Sequence, residues 1–510
     1  MLSETRARST LALAAVAVLA FATPAAAQTR GGSATLGVEQ DIAGFDPLIV
    51  GVYDTGQEAA AVLLFETLTR LDDSGKPAPG LALSWEHSAD FKTWTFKLRP
   101  GVTFQDGSPF DAEAVAFNYR RQLDPNNHCR CAIYVSNIAA VEAPDPLTAV
   151  FQLKNPSPNF AAIVAPATVN NPIHSPKAIQ EMKEGYNRHP VGTGPFQVKS
   201  WQSGDRIVLE RNPNYWNKDR PYLDQIVIRP LPDNTARFAS VQSGETDIIW
   251  HDRAEDIIKA KKNPNIVVNE YAGSGAQVYA FNTKRPPFDD VRVRQALRYA
   301  LDLKTYSDVA WEGLWKPAKD PWGPGSFVQC KDSGALPYDP AKAKALLKDY
   351  GKPVEFKMVV TATPRGRQIG QIFQEMWREV GVTMVIDQVD QTTLVTKAFR
   401  RDFDLTPWRI IDLADPDPQA YANFHTGSPV NLSDYSNPEA DKLLDDARTS
   451  GDQERRIEDY CKLAQILNRD VPWFWPLDNH YFSIAKPGLK GVAKQYSDII
   501  DLSGAWWDKK

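Results

Sequence analysis

Hydrophobic and polar positions in the second half of the chain follow a strand–helix–strand order. Val354 to Thr361 (VEFKMVVT) is apolar and rich in β-branched residues, which predicts a strand. Apolar residues then recur at helical spacing up to Gly381, which predicts a helix and its end. The pattern continues with a strand at Val382–Ile386, a helix at Gln391–Arg400 and a strand at Phe403–Ile411. A β-α-β-α-β series of this kind is half of a doubly wound parallel sheet.

A second unit of this type lies in the first half of the chain. Ile226 to Pro230 and Thr246 to Trp250 predict strands, and Thr235 to Val241 has helical spacing between them. A strand, a crossover helix and a strand make a parallel βαβ unit. A further strand is predicted at Ser33–Val38. Two such regions, far apart in sequence, indicate an α/β protein with two hinged lobes and a cleft between them.

The pattern changes between positions 67 and 189. Short strands are predicted at Thr93–Leu98 and Ala149–Leu153, and Asp111 is placed to cap a helix that ends near Leu123. We therefore expect an extra, inserted α+β domain here. The expected division is a signal peptide at 1–27, lobe I at 28–66, 190–272 and 484–510, the inserted domain at 67–189, and lobe III at 273–483.

The first 27 residues have the organisation of a secretory signal peptide. Arg6 and Arg8 precede an apolar run of 11 residues, Leu11 to Phe21, and small residues precede a cleavage point after Ala27. A run of this length is too short for the ~30 Å hydrocarbon core of a membrane. No later stretch is long enough to span it, and the first cysteine is Cys129, so no lipid anchor is expected. The sequence predicts a periplasmic protein released by a cleavable signal peptide.

The charge balance excludes one large class of partner. Lys and Arg number 58 against 63 Asp and Glu, a net charge of -5. Binding to nucleic acid rests on an excess of basic residues that neutralises phosphates. The sequence therefore predicts no nucleic-acid partner.

The cysteines and histidines argue against a metal or another cofactor. Cys129-Arg130-Cys131 is too short for a zinc knuckle, and the seven His are scattered. Four Cys in an oxidising compartment allow three disulfide pairings. Cys330 with Cys461 fits if both lie in lobe III, but the sequence leaves the pairing open.

Three segments then identify a family. Leu81 to Asn118 reads LALSWEHSADFKTWTFKLRPGVTFQDGSPFDAEAVAFN, His189 to Trp216 reads HPVGTGPFQVKSWQSGDRIVLERNPNYW, and Tyr279 to Asp302 reads YAFNTKRPPFDDVRVRQALRYALD. In this order, behind an export signal, they resemble the dipeptide and oligopeptide class of extracellular solute-binding proteins of ABC importers. The resemblance implies a soluble, monomeric receptor with the periplasmic binding protein fold. Such a receptor closes on its solute and docks on an inner-membrane permease with its ATPase.

The position of the ligand follows from where the strands end. In open α/β sheets, ligands lie beyond the carboxyl ends of the strands. In lobe III, Arg365 and Arg367 follow the first predicted strand, and Asp412 follows the third, ahead of two aspartates that we assign to a turn. A zwitterionic peptide needs an anionic site for its amine and a cationic site for its carboxylate. Arginine suits the carboxylate because its planar fork donates two parallel hydrogen bonds.

The resemblance gives two of these residues a role. It implies that Asp412, three residues ahead of Asp415-Pro416, holds the amine of a peptide. It also implies that Arg367, ten residues before Trp377, holds the carboxylate. The spacing from Trp408 to Asp412 is one residue longer than the Trp-x-x-Asp of the family.

Lobe I contributes candidates of its own. Its predicted strands end at Glu39, Gln40 and Trp250, and the indole of Trp250 is suited to stacking on a ligand side chain. Backbone groups near Asn282 and Ile411 are placed to pair with an extended ligand as an added strand. The passages near 269–281 and 477–484 are expected to connect the lobes.

Other classes of function remain as alternatives. The same receptor would serve glutathione, an opine, an oligosaccharide or a nickel chelate. An exported hydrolase is a further alternative, although no Gly-x-Ser-x-Gly or His-Glu-x-x-His motif occurs. A periplasmic chaperone would bind unfolded chains instead of one solute. We predict a binding protein for short peptides and no enzyme, and the sequence leaves the length and side chains of the cargo open.

Overall fold

The computed structural model describes residues 28–50, 55–72, 75–129, 131, 135–165, 171–410, 415–493 and 499–508. The predicted signal peptide, Ile411 and Asp412 lie outside these residues. Within them, no helix combines the length and the apolar character that crossing a membrane requires.

The elements follow in chain order. The strands are β1 (Ser33–Val38), β2 (Thr69–Leu71), β3 (Pro77–Pro79), β4 (Ala82–His87), β5 (Thr93–Leu98), β6 (Ile138–Asp145), β7 (Thr148–Leu153), β8 (Phe196–Gln202), β9 (Arg206–Arg211), β10 (Gln225–Pro230), β11 (Ile248–His251), β12 (Val267–Phe281), β13 (Glu355–Thr361), β14 (Thr383–Val389), β15 (Leu405–Arg409), β16 (Trp473–Phe474), β17 (Asp478–Ala485), β18 (Leu489–Lys490) and β19 (Trp506–Trp507). The α-helices are α1 (Pro47–Val50), α2 (Thr55–Leu64), α3 (Ala112–Leu123), α4 (Phe160–Ile163), α5 (Pro176–Met182), α6 (Asn234–Ser243), α7 (Ala254–Lys261), α8 (Val291–Tyr299), α9 (Leu303–Trp311), α10 (Pro340–Tyr350), α11 (Pro364–Arg378), α12 (Gln391–Phe399), α13 (Asp417–Phe424), α14 (Pro438–Thr449) and α15 (Gln453–Asp470).

One mixed sheet of 11 strands carries both predicted α/β units. Its order is β14-β13-β15-β12-β17-β11-β1-β10-β9-β8, with β16 paired to β12. β13 runs parallel to β14 and β15, and α11 and α12 are the crossover helices, which confirms the predicted β-α-β-α-β series. β10 and β11 both run parallel to β1 and are joined by α6, which confirms the predicted βαβ unit.

Two long strands connect the halves of this sheet. β12 pairs with β17 from Val267 to Ala272, and the register shifts before Ala276, around Gly273-Ser274-Gly275. The N–H groups of Gly323 and Gly325 donate to the carbonyls of Ser274 (2.9 Å) and Gly273 (2.8 Å). A Cβ on Gly323 would lie 2.4 Å from the carbonyl oxygen of Gly275, so only glycine fits against the break.

The strand directions bring the ends of both units to this break. β17 is antiparallel to β11, so the carboxyl end of β11 faces the start of β17. β12 is antiparallel to β15, and Arg409 at the end of β15 lies opposite Gln277. The carboxyl ends of the parallel strands therefore meet where the halves of the sheet join, which is where ligands bind in such sheets.

The inserted region forms a sheet of its own. Its order is β4-β5-β7-β6, entirely antiparallel, with α3 packed on β6 and β7. Asp111 caps α3 by accepting a hydrogen bond from the N–H of Ala114 (2.9 Å), as predicted. Aromatic side chains that include Trp94, Phe96 and Phe151 fill its core.

The amphipathic helix α11 shows why the predicted elements pack as they do. Its apolar face lies in the main core, where Phe373 and Trp377 are completely buried. The indole N–H of Trp377 donates to the carbonyl of Leu297 (2.9 Å), so a buried polar group is satisfied.

The cysteines form two disulfides, Cys330–Cys461 and Cys129–Cys131. The first confirms the pairing that the sequence suggested, and it joins the loop after α9 to α15. The second spans a single intervening residue in the inserted region.

Candidate ligand-binding cleft

A buried arginine organises the lobe I side of the cleft. Arg237 on α6 is 0% exposed, and its Nε donates to the carbonyl of Trp250 (2.9 Å). Its Nη groups donate to the carbonyl of Leu231 and to Oδ1 of Asn234. Burial lowers the pKa of Arg237, and the charge of Glu39 opposes this effect. One side chain thus ties together the ends of β10 and β11 and the start of α6.

The structure brings two of the predicted lobe I residues together around Arg237. Trp250 is half-buried, and the Cζ of Arg237 lies 5.4 Å from the centroid of its ring. The indole Nε1 of Trp250 is buried without a hydrogen-bond partner in the described part of the chain. Glu39 is also half-buried, whereas Gln40 is exposed. This rim combines a carboxylate and an aromatic face.

The lobe III side carries a cation on an aromatic ring. Arg365 lies in the first turn of α11, half-buried, with its Cζ 4.0 Å from the centroid of the Trp311 ring. Its Nη1 is buried and has no hydrogen-bond partner among the described residues. Trp311 packs on Trp315 (4.1 Å between centroids), which packs on Phe482 of β17 (5.2 Å). The aromatic row connects the guanidinium to the strand that joins the lobes.

Arg367 is placed differently from Arg365. It is exposed on α11, and its Nη2 donates a long hydrogen bond to Oε1 of Gln388 (3.4 Å). An exposed side chain held by one weak bond is free to reorient. The two arginines thus offer one sheltered and one mobile cation at the same end of lobe III.

The residue predicted to hold an amine, Asp412, falls outside the described residues. A small pocket lies between the break in β12 and the end of β15. Its lining residues are Ser274, Pro321, Trp322, Ile410, Asp415, Pro416, Gln419, Ala420 and Phe424. Asp415 is engaged within lobe III, because Arg456 donates to both of its oxygens (2.8 and 2.6 Å).

Asn282 lies apart from the other candidates. Its side chain donates to the carbonyls of Arg401 (3.1 Å) and Phe403 (3.2 Å), and its backbone N–H donates to the carbonyl of Asp404 (3.0 Å). It follows β12 at the end remote from the break, about 20 Å beyond Ala276 at the rise of an extended strand. The polar groups of Asn282 thus serve the packing of lobe III.

Two acidic residues beside the break were missed by the sequence reasoning. Asp478 lies opposite Ala276, and burial together with the charge of Asp320 raises its pKa to about 7. Burial raises the pKa of Asp320 to about 6. In the sequence each occurs next to Pro or Asn, which is typical of a turn, and no local signal shows that they come together. The pair places a carboxyl that titrates near neutral pH at the junction of the lobes.

The chemistry of these residues is that of binding. Among the residues the structure describes, no group of three or more His, Cys, Asp or Glu side chains is placed to hold a metal ion. The cleft offers cations on lobe III and a carboxylate with an aromatic face on lobe I. Such a combination suits an organic solute that carries both charges.

A family model for the bacterial extracellular solute-binding proteins, family 5, matches residues 76–431. The chain belongs to this family. The resemblance seen in the three sequence segments is therefore confirmed. Family 5 proteins are the solute-binding components of ABC importers.

Relatives and solved structures agree with this assignment. The chain is 30% identical over 440 residues to the glutathione-binding protein GsiB of Salmonella paratyphi A, covering 82% of this chain and 84% of that protein. It is 29% identical over 535 residues to heme-binding protein A of Haemophilus influenzae, covering 96% of each. The periplasmic binding protein DppA of Helicobacter pylori, solved with the peptide STSA, superposes with a TM-score of 0.83 at 25% identity, covering 94% of this chain and 99% of that one. The fold of this family 5 member is the two-lobed periplasmic binding protein fold, and all three relatives are named as binding proteins.

Proposed function

We propose that this protein is a periplasmic receptor that captures short peptides between lobe I and lobe III and delivers them to an inner-membrane ABC permease. Lobe I comprises 28–66, 190–272 and 484–510, the inserted domain comprises 67–189, and lobe III comprises 273–483. The signal-peptide character of residues 1–27 supports export. The membership in family 5 supports the role of an importer's receptor.

The observation that carries the proposal is a buried N–H group of Arg365 that has no acceptor among the described residues. A buried N–H without an acceptor costs about 1–3 kcal/mol, and Nη1 of Arg365 is such a group. The carboxylate of a peptide would supply the missing acceptor, and the shielding by Trp311 would strengthen the interaction. Arg367 and Asp412 keep the roles that the family resemblance implies, and Glu39, Gln40 and Trp250 line the opposite rim.

Closure about the two connecting strands supplies the mechanism. β12 and β17 join the lobes, and the register break at Gly273-Ser274-Gly275 provides the site at which backbone dihedrals change. A peptide that contacts both rims gains these contacts only in the closed form, so it shifts the population toward closure. The closed form is what the permease recognises.

Titration calorimetry tests the proposal. The mature protein is unfolded and refolded to remove any native cargo, then titrated with di- to pentapeptides whose termini are free or blocked. We expect one peptide per protein, with binding lost when the C-terminus is amidated. Loss of the carboxylate contact in Arg365→Gln should weaken binding about 10–100-fold. Arg378→Gln, an exposed position at the far end of α11, is the control. The absence of binding by every peptide would refute the proposed cargo.

Glutathione is a second candidate, because a relative with 30% identity is named for it and because the start of α11 presents two arginines, Arg365 and Arg367. Glutathione is a tripeptide with one amine and two carboxylates, so Arg365 and Arg367 would each hold one carboxylate. The same titration separates the two cargoes. Tight binding of glutathione that needs both arginines, with weak binding of all other peptides, would favour glutathione. Heme is included in the panel because the second relative is named for it.

A further inference from the structure

The inserted domain is fastened to lobe I. Arg121 of α3 forms a bidentate ion pair with Asp46 (2.8 and 2.7 Å). Nε2 of Gln105 donates to the carbonyls of Leu64 (3.0 Å) and Phe196 (2.7 Å). With both partners of the ion pair largely buried, these contacts hold the inserted domain and lobe I together as one body.

Among the described residues, Asn159 and Phe91 of the inserted domain touch lobe III. Nδ2 of Asn159 donates a hydrogen bond to Oδ2 of Asp415. The ring of Phe91 lies against Gly451 so closely that a Cβ on Gly451 would be 2.6 Å from Cζ of Phe91. Because the inserted domain is attached to lobe I, both contacts cross from one side of the cleft to the other.

The local structure on each side supports the hydrogen bond between Asn159 and Asp415. Asn159 occupies the N-cap position of α4, where an asparagine ordinarily accepts from the backbone of its own helix, but its side chain makes no capping bond. On lobe III, the side chains of Asp415 and Arg456 are only 4% and 3% exposed, and their bidentate pair fixes the acceptor. An N-cap residue whose side chain points to another domain indicates a role outside its own helix.

We propose that these contacts form a closing latch, in which Asn159 and Phe91 of the inserted domain bind Asp415 and Gly451 of lobe III only while the lobes are closed. The latch stabilises the closed form without touching the cargo. Because cargo affinity depends on the population of the binding-competent form, the latch sets the affinity from outside the cleft. The affinity part of the proposal rests on the proposed receptor function, whereas the closure part does not.

Two substitutions break the latch by different means. Asn159→Asp places two carboxylates against each other, and Gly451→Ala drives a methyl group into the ring of Phe91. We expect each to weaken cargo binding about tenfold, mainly through faster dissociation. Adding Phe91→Ala to Gly451→Ala removes the clash and should restore part of the loss.

Matched controls add the same chemical groups, a carboxylate or a methyl group, at positions outside the latch. Gln180→Glu adds a carboxylate at an exposed position of the inserted domain. Gly185→Ala adds a methyl group where no atom lies within 4 Å. Both should bind cargo like the wild type. Thermal unfolding of every variant checks that it folds.

Single-molecule energy transfer measures closure without any cargo. Dyes are attached through non-canonical residues at exposed Glu181 of the inserted domain and exposed Lys462 of lobe III, which leaves the cysteines unchanged. A fraction of the refolded wild-type molecules should show high energy transfer, which reports the closed form. This fraction should fall about tenfold in Asn159→Asp and persist in Gln180→Glu. A wild type with no such fraction, or a fraction unchanged in Asn159→Asp, overturns the latch. If no peptide binds but the fraction behaves as expected, the proposed cargo fails and the latch stands.

Discussion

Replacing Glu66 with glutamine should remove a pH dependence of stability that the structure places at the boundary between lobe I and the inserted domain. The Glu66 carboxylate accepts hydrogen bonds from the hydroxyl of Tyr215 (2.9 Å) and from Nε1 of Trp216 (2.9 Å). Burial raises its pKa from 4.5 to about 7, although these hydrogen bonds act in the opposite direction. Tyr215 and Trp216 are thus the hydrogen-bond partners of a half-buried acid.

The size of the effect follows from the two pKa values. The folded-state pKa lies above the unfolded-state pKa, so the protonated carboxyl of Glu66 stabilises the fold. This contribution is fully present below pH 4.5 and is lost as the pH rises through about 7. This difference between the two pKa values corresponds to about 3 kcal/mol in the free energy of unfolding. Since the Glu66 side chain is only half-buried, we expect about 2 kcal/mol to be lost between about pH 5 and about pH 8.

Urea denaturation of the wild type and Glu66→Gln across this pH range measures the effect. The neutral amide keeps an acceptor for Tyr215 and Trp216 but does not titrate. The free energy of unfolding of the variant relative to the wild type should therefore rise by about 2 kcal/mol from about pH 5 to about pH 8. Glu181→Gln, at an exposed position, should show no such rise. A difference between the Glu66 variant and the wild type that stays constant with pH would refute the reasoning.

Three further outcomes are expected. Replacing Cys330 and Cys461 together with serine should lower the free energy of unfolding of lobe III by up to ~5 kcal/mol, because the bridge closes a loop of 131 residues; urea denaturation measures this. Gly192→Ala should lower the thermal midpoint by several degrees, because its Cβ would lie 2.3 Å from the carbonyl oxygen of Leu64; calorimetry measures this. Asp478→Asn should gain stability relative to the wild type as the pH rises toward about 7, since that carboxyl also has a raised pKa; the same urea series tests it, and a constant difference would contradict it.

Much of the fold was predictable from the sequence, because its elements are encoded locally. The helix that begins at Asn234 and the one that begins at Ala112 have their caps, Asp233 and Asp111, directly ahead of them. Strand periodicity and helix caps act within a few residues of each other, so they are visible in any window of the chain. The direction of the strands then followed from the crossover helices, and with it the end of the sheet at which ligands bind.

The details of the cleft could not be obtained in this way. Arg365 and Arg367 are two residues apart and equally basic, yet one is sheltered on Trp311 and the other is exposed. Burial raises the pKa of Glu66, and the hydrogen bonds from Tyr215 and Trp216, about 150 positions further along the chain, limit the rise. Burial and solvent access are properties of the packed molecule, and no local pattern carries them.

The sequence by itself determined the α/β units, and it predicts an inserted domain and an export signal, because hydrophobic periodicity and the pattern of a signal peptide are properties of short stretches. Only the tertiary structure decided that both lobes share one continuous sheet and that Asn159 meets Asp415, 256 positions away. Contacts at such separations depend on how finished elements pack against one another, and many arrangements of the same elements satisfy the same local rules.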